Sequence, residues 1–142
     1  MTEDQQLDPD RCKRSEAPGS PDRGAARRRE VGRYGEDVAA RHLVDDGMVV
    51  LDRNWRCETG ELDLVLRDGR VLVVCEVKTR SSTAYGSPVE AVTAAKGDRL
   101  RRLADLWVED HRVRPAELRI DLVGVLLQRR GAPTLQHVRG VG

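Results

Sequence analysis

Asp63, Glu76 and Lys78 are the residues whose types and spacing best suit chemistry: an acid, then twelve residues, then an acid and a lysine separated by Val77. Carboxylate oxygens are hard ligands suited to Mg2+ or Mn2+, and Mg2+ in such places keeps several waters and completes its shell with substrate phosphate. A cation held there activates water against a phosphodiester, and a lysine beside it orients the water or stabilises developing charge. The plainer alternative is that Lys78 neutralises Asp63 or Glu76 at the solvated end of a sheet, and the spacing leaves both open.

These residues need two strands to bring them together. Residues 61–67 and 70–78 alternate as strands, and Asp68-Gly69 between them favours the positive backbone angles of a two-residue hairpin turn. Such a turn sets Arg67 opposite Arg70, Val65 opposite Leu72, Asp63 opposite Val74 and Glu61 opposite Glu76. Leu62, Leu64 and Leu66 then share an apolar face with Val71, Val73, Cys75 and Val77. The other face carries Asp63 diagonal to Glu76, at about 7–8 Å between backbones. Charges buried in so apolar a hairpin cost several kcal/mol unless partners or a metal answer them.

The remaining pattern supplies the scaffold. Val31, Tyr34, Val38, Ala39 and His42 or Leu43 recur at helical spacing, with Gly47 as the stop. Residues 48–52 suit a short strand, and 53–60 a polar connection or irregular edge strand. Ser87-Pro88-Val89-Glu90 has the form of a capping box. Helical spacing then runs to about Asp110, with Gly97 expected to divide it ahead of the stripe Leu100, Leu103, Ala104, Trp107 and Val108. Residues 118–127 suit a buried strand and 134–138 an edge strand. Helix, strand, hairpin, helices, strand, strand predicts an α/β fold, a mixed β-sheet flanked by helices.

Residues 1–30, rich in Arg, Asp, Glu and Pro and poor in branched apolar side chains, are expected to form a disordered charged tail, leaving 31–142 as the domain. Lys+Arg number 25 against 24 Asp+Glu, a net charge of +1, so nucleic-acid binding must come from local clusters and not from bulk charge. No apolar run approaches the roughly 20 residues that cross a bilayer, and the N-terminus lacks a signal-peptide core, which predicts a cytoplasmic protein with no membrane partner. Cys12, Cys57 and Cys75 form no C-x-x-C pair, and His42, His111 and His137 are scattered in sequence, which argues against both a disulfide framework and a zinc site of Cys and His. No Ser-His-acid spacing and no phosphate-binding glycine loop is present.

Asp63 followed by Glu76-Val77-Lys78 resembles the active-site signature of the restriction-endonuclease-like nuclease superfamily. Around it, Gly35-Glu36, Arg53-Asn54-Trp55-Arg56, Gly60-Glu61-Leu62-Asp63, Glu76-Val77-Lys78-Thr79-Arg80, Tyr85-Gly86, Ala91-Val92, Lys96 and Arg119-Ile120-Asp121 occur in an order similar to the small bacterial YraN-like family of predicted nucleases. The resemblance spans residues 31–125 and implies a restriction-endonuclease-like mixed sheet flanked by helices, as in archaeal Holliday-junction resolvases. It implies a metal-dependent nuclease acting on DNA or structured nucleic acid, with Asp63 and Glu76 as ligands of Mg2+ or Mn2+, Lys78 as the catalytic lysine and Glu36 as an assisting acid from the first helix. A non-cleaving nucleic-acid-binding module of the same fold, and a purely structural domain, are the rival readings.

Each further candidate has an ordinary explanation beside the functional one. Glu36 is either a site acid or a solvated helical one, and Glu61 either a second ligand or a solvated residue at a strand start. Arg53, Arg56, Arg80 and Lys96 flank the acidic hairpin and are candidates for phosphate contact, though Arg and Lys are ordinary surface residues. Arg99, Arg101 and Arg102 share the polar side of the long helix, where solvation is the default. Asp121 is expected to make a structural pair with Arg119 or a backbone bond. Trp55 and Tyr85 offer base stacking or simple packing. A resolvase-like role favours a homodimer, so that two sites meet two strands.

Overall fold

The computed structural model describes residues 23–81 and 93–141. The capping box at 87–90, Tyr85-Gly86 and Ala91-Val92 lie outside them, as does most of the charged tail. The elements run α1 (Arg23–Asp45), β1 (Val49–Cys57), β2 (Gly60–Asp68), β3 (Val71–Arg80), α2 (Ala94–His111), β4 (Glu117–Leu126) and β5 (Thr134–Val138). The five strands form one sheet in chain order, antiparallel except for the parallel pair β3–β4, whose crossover contains α2. The fold is thus α/β, a mixed sheet flanked by helices, consistent with the restriction-endonuclease-like architecture.

Strand alternation divides the core between the two sheet faces. Leu64, Leu66, Val73, Cys75, Val123 and Val125 pack with Ala39, Ala40 and Leu43 of α1. Val65, Leu72, Val74, Ile120 and Leu122 pack with Leu100, Leu103, Ala104 and Trp107 of α2. Each such large side chain, fully buried, contributes about 1.5–3 kcal/mol, so both helices are held chiefly by their apolar stripes. Trp107 adds orientation: its indole N–H donates to Asp52 Oδ2 at 2.9 Å, and its ring stacks on His111 at 4.0 Å.

Three expectations are corrected and one pair of alternatives is decided. First, α1 begins at Arg23, so residues 23–30 are helical and the tail boundary after 30 falls inside the helix; Ala25, Ala26 and the arginines that follow are good helix formers that need no buried face. Second, of the two readings of residues 53–60 the edge strand is the one found through Cys57: β1 runs on through Arg53-Asn54-Trp55-Arg56, because an edge strand tolerates polar residues and Trp55 alone among these four is buried. Third, Gly97 does not divide a helix: it lies in the first turn of α2, buried, with its N–H bonded to the Thr93 carbonyl at 2.9 Å.

Fourth, the hairpin register differs from the expected one. Asp68 pairs with Val71, so the turn is Gly69-Arg70 and not Asp68-Gly69. Gly69 takes a positive φ of 62° as the first turn residue, where glycine is favoured. Asp68 is drawn into the ladder, its carboxylate receiving Arg119 of β4 at 3.1 Å. The shift is even in register, so Val65 and Leu66 keep their faces, but each residue of β2 now opposes one two places further along β3.

Candidate functional site

Continuing the observed register past Leu64–Cys75 places Asp63 opposite Glu76, where the expected turn had set them on a diagonal. Regular pairing stops there, and the Val77 N–H donates to Asp63 Oδ2 at 2.9 Å. A side chain therefore takes a strand N–H at the point where β2 parts from β3. The alternation breaks with it: Leu62, expected beside Leu64 and Leu66, joins the α2-side core.

Glu76 is 8% exposed and answered by two lysines. Lys78 Nζ stands 3.3 Å and Lys96 Nζ 2.7 Å from Glu76 Oε2. Lys78 comes from the same strand, two residues on, whereas Lys96 comes from the first turn of α2, which Thr93 caps by accepting the Lys96 N–H at 3.2 Å. Burial works against the Lys96 ammonium, but its hydrogen bond with the Glu76 carboxylate and that group's negative charge outweigh this and raise its pKa.

Asp63 is answered differently. Burial first, then the negative charge of Glu76, push its pKa from 3.8 to about 7, with Glu36 and Glu61 adding to the rise and the Val77 N–H opposing it. Glu36 feels the same field: partial burial raises its pKa, a hydrogen bond with Asn54 opposes this, and Glu61 adds repulsion. The site thus concentrates Glu36, Glu61, Asp63 and Glu76 within electrostatic reach, beside Lys78 and Lys96. Such a set of carboxylate oxygens, one of them held near neutrality by burial and repulsion, matches the donors a hard divalent cation takes.

Gly35 explains how α1 delivers Glu36. A Cβ at Gly35 would fall 1.8 Å from Thr79 Oγ1, so the helix touches β3 beside Lys78 only because residue 35 has no side chain. Asn54, held at a positive φ of 52°, meets Glu36 from β1. On the other side a cleft of about 690 Å³ opens between the strands and α2, lined by Glu61, Asp63, Glu76, Lys78, Lys96 and Arg99 among others.

The sequence-picked cations divide. Lys96 lies in the site, and Arg56 reaches its rim through Glu61 at 3.1 Å. Arg53 is tied to Asp37 of α1, close enough to act on Glu36. Arg80 stands at the end of β3, in register with Leu126, and does not line the cleft. Arg99, grouped in sequence with the solvated face, instead lines the cleft and donates to the Thr59 carbonyl at 3.3 Å. Asn54 was missed, and the one signal for it was its place between two arginines of the resemblance. Trp55 is core, 1% exposed under α2, and offers no stacking surface.

Asp121 is structural, as expected. Fully buried, it receives Arg119 at 2.8 and 3.0 Å, His137 Nε2 at 2.9 Å and the Gly140 N–H at 3.1 Å. Burial alone would raise its pKa, but these hydrogen bonds, Arg119 foremost, lower it. Among the described residues Cys57 and Cys75 are free thiols, and no helix is long and apolar enough to cross a membrane.

Residues 35–125 match the model of the uncharacterised protein family UPF0102. A UPF0102 protein of Nocardioides sp. is 64% identical over 118 residues, covering 83% of this chain and 95% of the relative. UPF0102 proteins of Streptomyces griseus and Streptomyces coelicolor are 58% and 60% identical, over 78% of this chain in each case and 94% and 87% of theirs. The matched span begins at Gly35 and contains Glu36, Asp63, Glu76, Lys78 and Lys96. With that span and those relatives, the chain belongs to the UPF0102 family, the YraN-like group.

Proposed function

We propose that this protein is a metal-dependent nuclease that hydrolyses phosphodiester bonds in DNA or structured nucleic acid, with Asp63 and Glu76 holding Mg2+ or Mn2+. The observation that supports this most is Asp63: a half-buried carboxyl facing Glu76, with a pKa pushed up to about 7, in a cleft that lysines also line. An acid so placed gains most from a cation, which is the arrangement perturbed groups at functional sites commonly show. When bound, the ion supplies the positive charge that polarises the scissile phosphodiester.

The chain's own residues do the rest. Lys78, 3.3 Å from Glu76, is placed to orient the attacking water and to balance charge on the phosphoryl oxygens. Glu36, its pKa raised by partial burial against the opposing hydrogen bond with Asn54, assists from the α1 side. Lys96 and Arg99 in the cleft, and Arg56 at its rim, offer cations to the phosphate backbone, while Arg53 and Arg80 serve only if the nucleic acid extends beyond the cleft.

One observation favours a second reading. Glu76 already has both lysines, so the cluster is partly neutral without an ion, as a non-cleaving nucleic-acid-binding module would have it. Cleavage of single-stranded, duplex, flap and four-way-junction DNA with Mg2+ or Mn2+ separates the two. Nuclease action is expected to vanish in Lys78→Ala and Asp63→Ala, each folded by circular dichroism. Cleavage retained in both variants would refute it, and binding without cleavage on every substrate would select the module.

A further inference from the structure

The geometry points to a second metal site, built for a borderline transition ion such as Zn2+, from His42, Asp46 and His137. It is independent of the nuclease reading: β5, which carries His137, is the far edge of the sheet, two strands beyond Glu76 on β3. One ligand atom from each of the three residues lies within 4.8 Å of the others. Ligands at about 2.0–2.2 Å from a tetrahedral Zn2+ stand roughly 3.4 Å apart, so small rotamer changes close the site.

Three features give it the character of a metal centre. His42 and Asp46 are four residues apart, and the Asp46 N–H still bonds the His42 carbonyl at 3.1 Å, so helical geometry sets both side chains on one side of the α1 terminus. The chain's carbonyl ends at that terminus favour positive charge. His137 is oriented from behind: its Nε2 meets Asp121 Oδ2 at 2.9 Å, leaving Nδ1 for a metal, and that carboxylate–imidazole–metal relay is the usual outer shell of a histidine ligand. Asp121 is itself fixed by Arg119 and Gly140, so the imidazole is held before any ion arrives. His42 already meets the His137 ring edge-on, with centroids 6.0 Å apart.

Two imidazoles and one carboxylate select against Mg2+ and for Zn2+, Co2+ or Ni2+, with the fourth position left to water. Arg139 is the present competitor, its guanidinium 2.9 Å from Asp46 Oδ2, and it is half exposed and able to swing away. A bound ion would clip the end of α1 to the edge strand β5.

The test is titration of the full chain with Zn2+, and with Co2+ followed by its visible absorption, in excess Mg2+ to occupy oxygen-only sites. One Zn2+ per chain is expected, with the intense bands of low-coordinate Co2+. Both should be lost in His42→Gln and in Asp46→Asn, two exposed or half-exposed positions whose replacement spares the core. Arg139→Gln should bind severalfold tighter, and Zn2+ should raise the melting temperature of wild type but not of His42→Gln. Absence of binding in wild type, or stoichiometric binding that survives both ligand substitutions, would overturn the proposal.

Discussion

Asp63→Asn should stabilise the metal-free protein while removing its proposed activity. A carboxyl whose pKa rises from 3.8 to about 7 on folding destabilises the fold, when ionised, by up to about 4 kcal/mol, at about 1.4 kcal/mol per tenfold. Because the folded pKa is the higher one, this group is no burden below the ordinary carboxylate value. Stability is then lost as pH rises toward about 7, and stays low above it. Asparagine keeps an oxygen for the Val77 N–H and carries no charge, so the variant escapes that loss. In urea unfolding without divalent ions, the variant's advantage over wild type should widen by about 2–3 kcal/mol between about pH 5 and about pH 8. Mg2+ at about 100 times its dissociation constant should return about 2.7 kcal/mol to wild type and nothing to the variant. A gap that does not change with pH, or a variant less stable than wild type at alkaline pH, would refute the account of Asp63 as a half-buried acid awaiting a cation.

Gly35→Ala should destabilise by about 1–3 kcal/mol or more in thermal melts, although alanine is the better helix former, because its Cβ would meet Thr79 Oγ1 and, at 2.9 Å, Thr79 Cβ. Adding Thr79→Ala should restore only part of that loss, since the Cβ contact remains. Asp121→Asn should cost about 3–5 kcal/mol by leaving Arg119 without its buried counter-charge and His137 Nε2 without its carboxylate partner. In wild type the Asp121 contribution is present above the ordinary carboxylate range and lost as pH falls through its lowered folded value, so acid titration followed by tryptophan fluorescence should show the variant without that limb.

The scaffold was legible wherever one face of an element meets the core. The α2 stripe and the strands 118–127 and 134–138 follow from apolar spacing, and β5 matches its expected bounds. Legibility failed where packing was not the determinant. Residues 23–30 are helical without burying a stripe, and the edge-strand reading of 53–57 had nothing to set it above a polar connection, since Trp55 is the one buried side chain in Arg53-Asn54-Trp55-Arg56. The hairpin turn moved by one residue because a distant partner, Arg119, holds Asp68 in the ladder, and local turn preference carries no knowledge of β4.

Within the candidate site the same distinction decides what could be read. Asp63, Glu76 and Lys78 sit on adjoining strands, so period-two alternation was enough to bring them to one face under either register. Lys96 and Arg99 arrive from α2, and Glu36 from α1 by way of the Gly35–Thr79 contact, placements that depend on how two helices cross the sheet. The departure at Asp63 was the least visible feature and carries the most consequence. Uninterrupted pairing would have spent the Val77 N–H on the β2 backbone and sent Leu62 to the α1 face. With the ladder released there, the carboxylate takes the N–H, Leu62 anchors the strand under α2, and Asp63 is turned against Glu76 with its charge disfavoured. An acid destabilised by its own strand geometry is a poor device for stability alone, which is why its response to pH and to Mg2+ discriminates between a structural cluster and a site built around a cation.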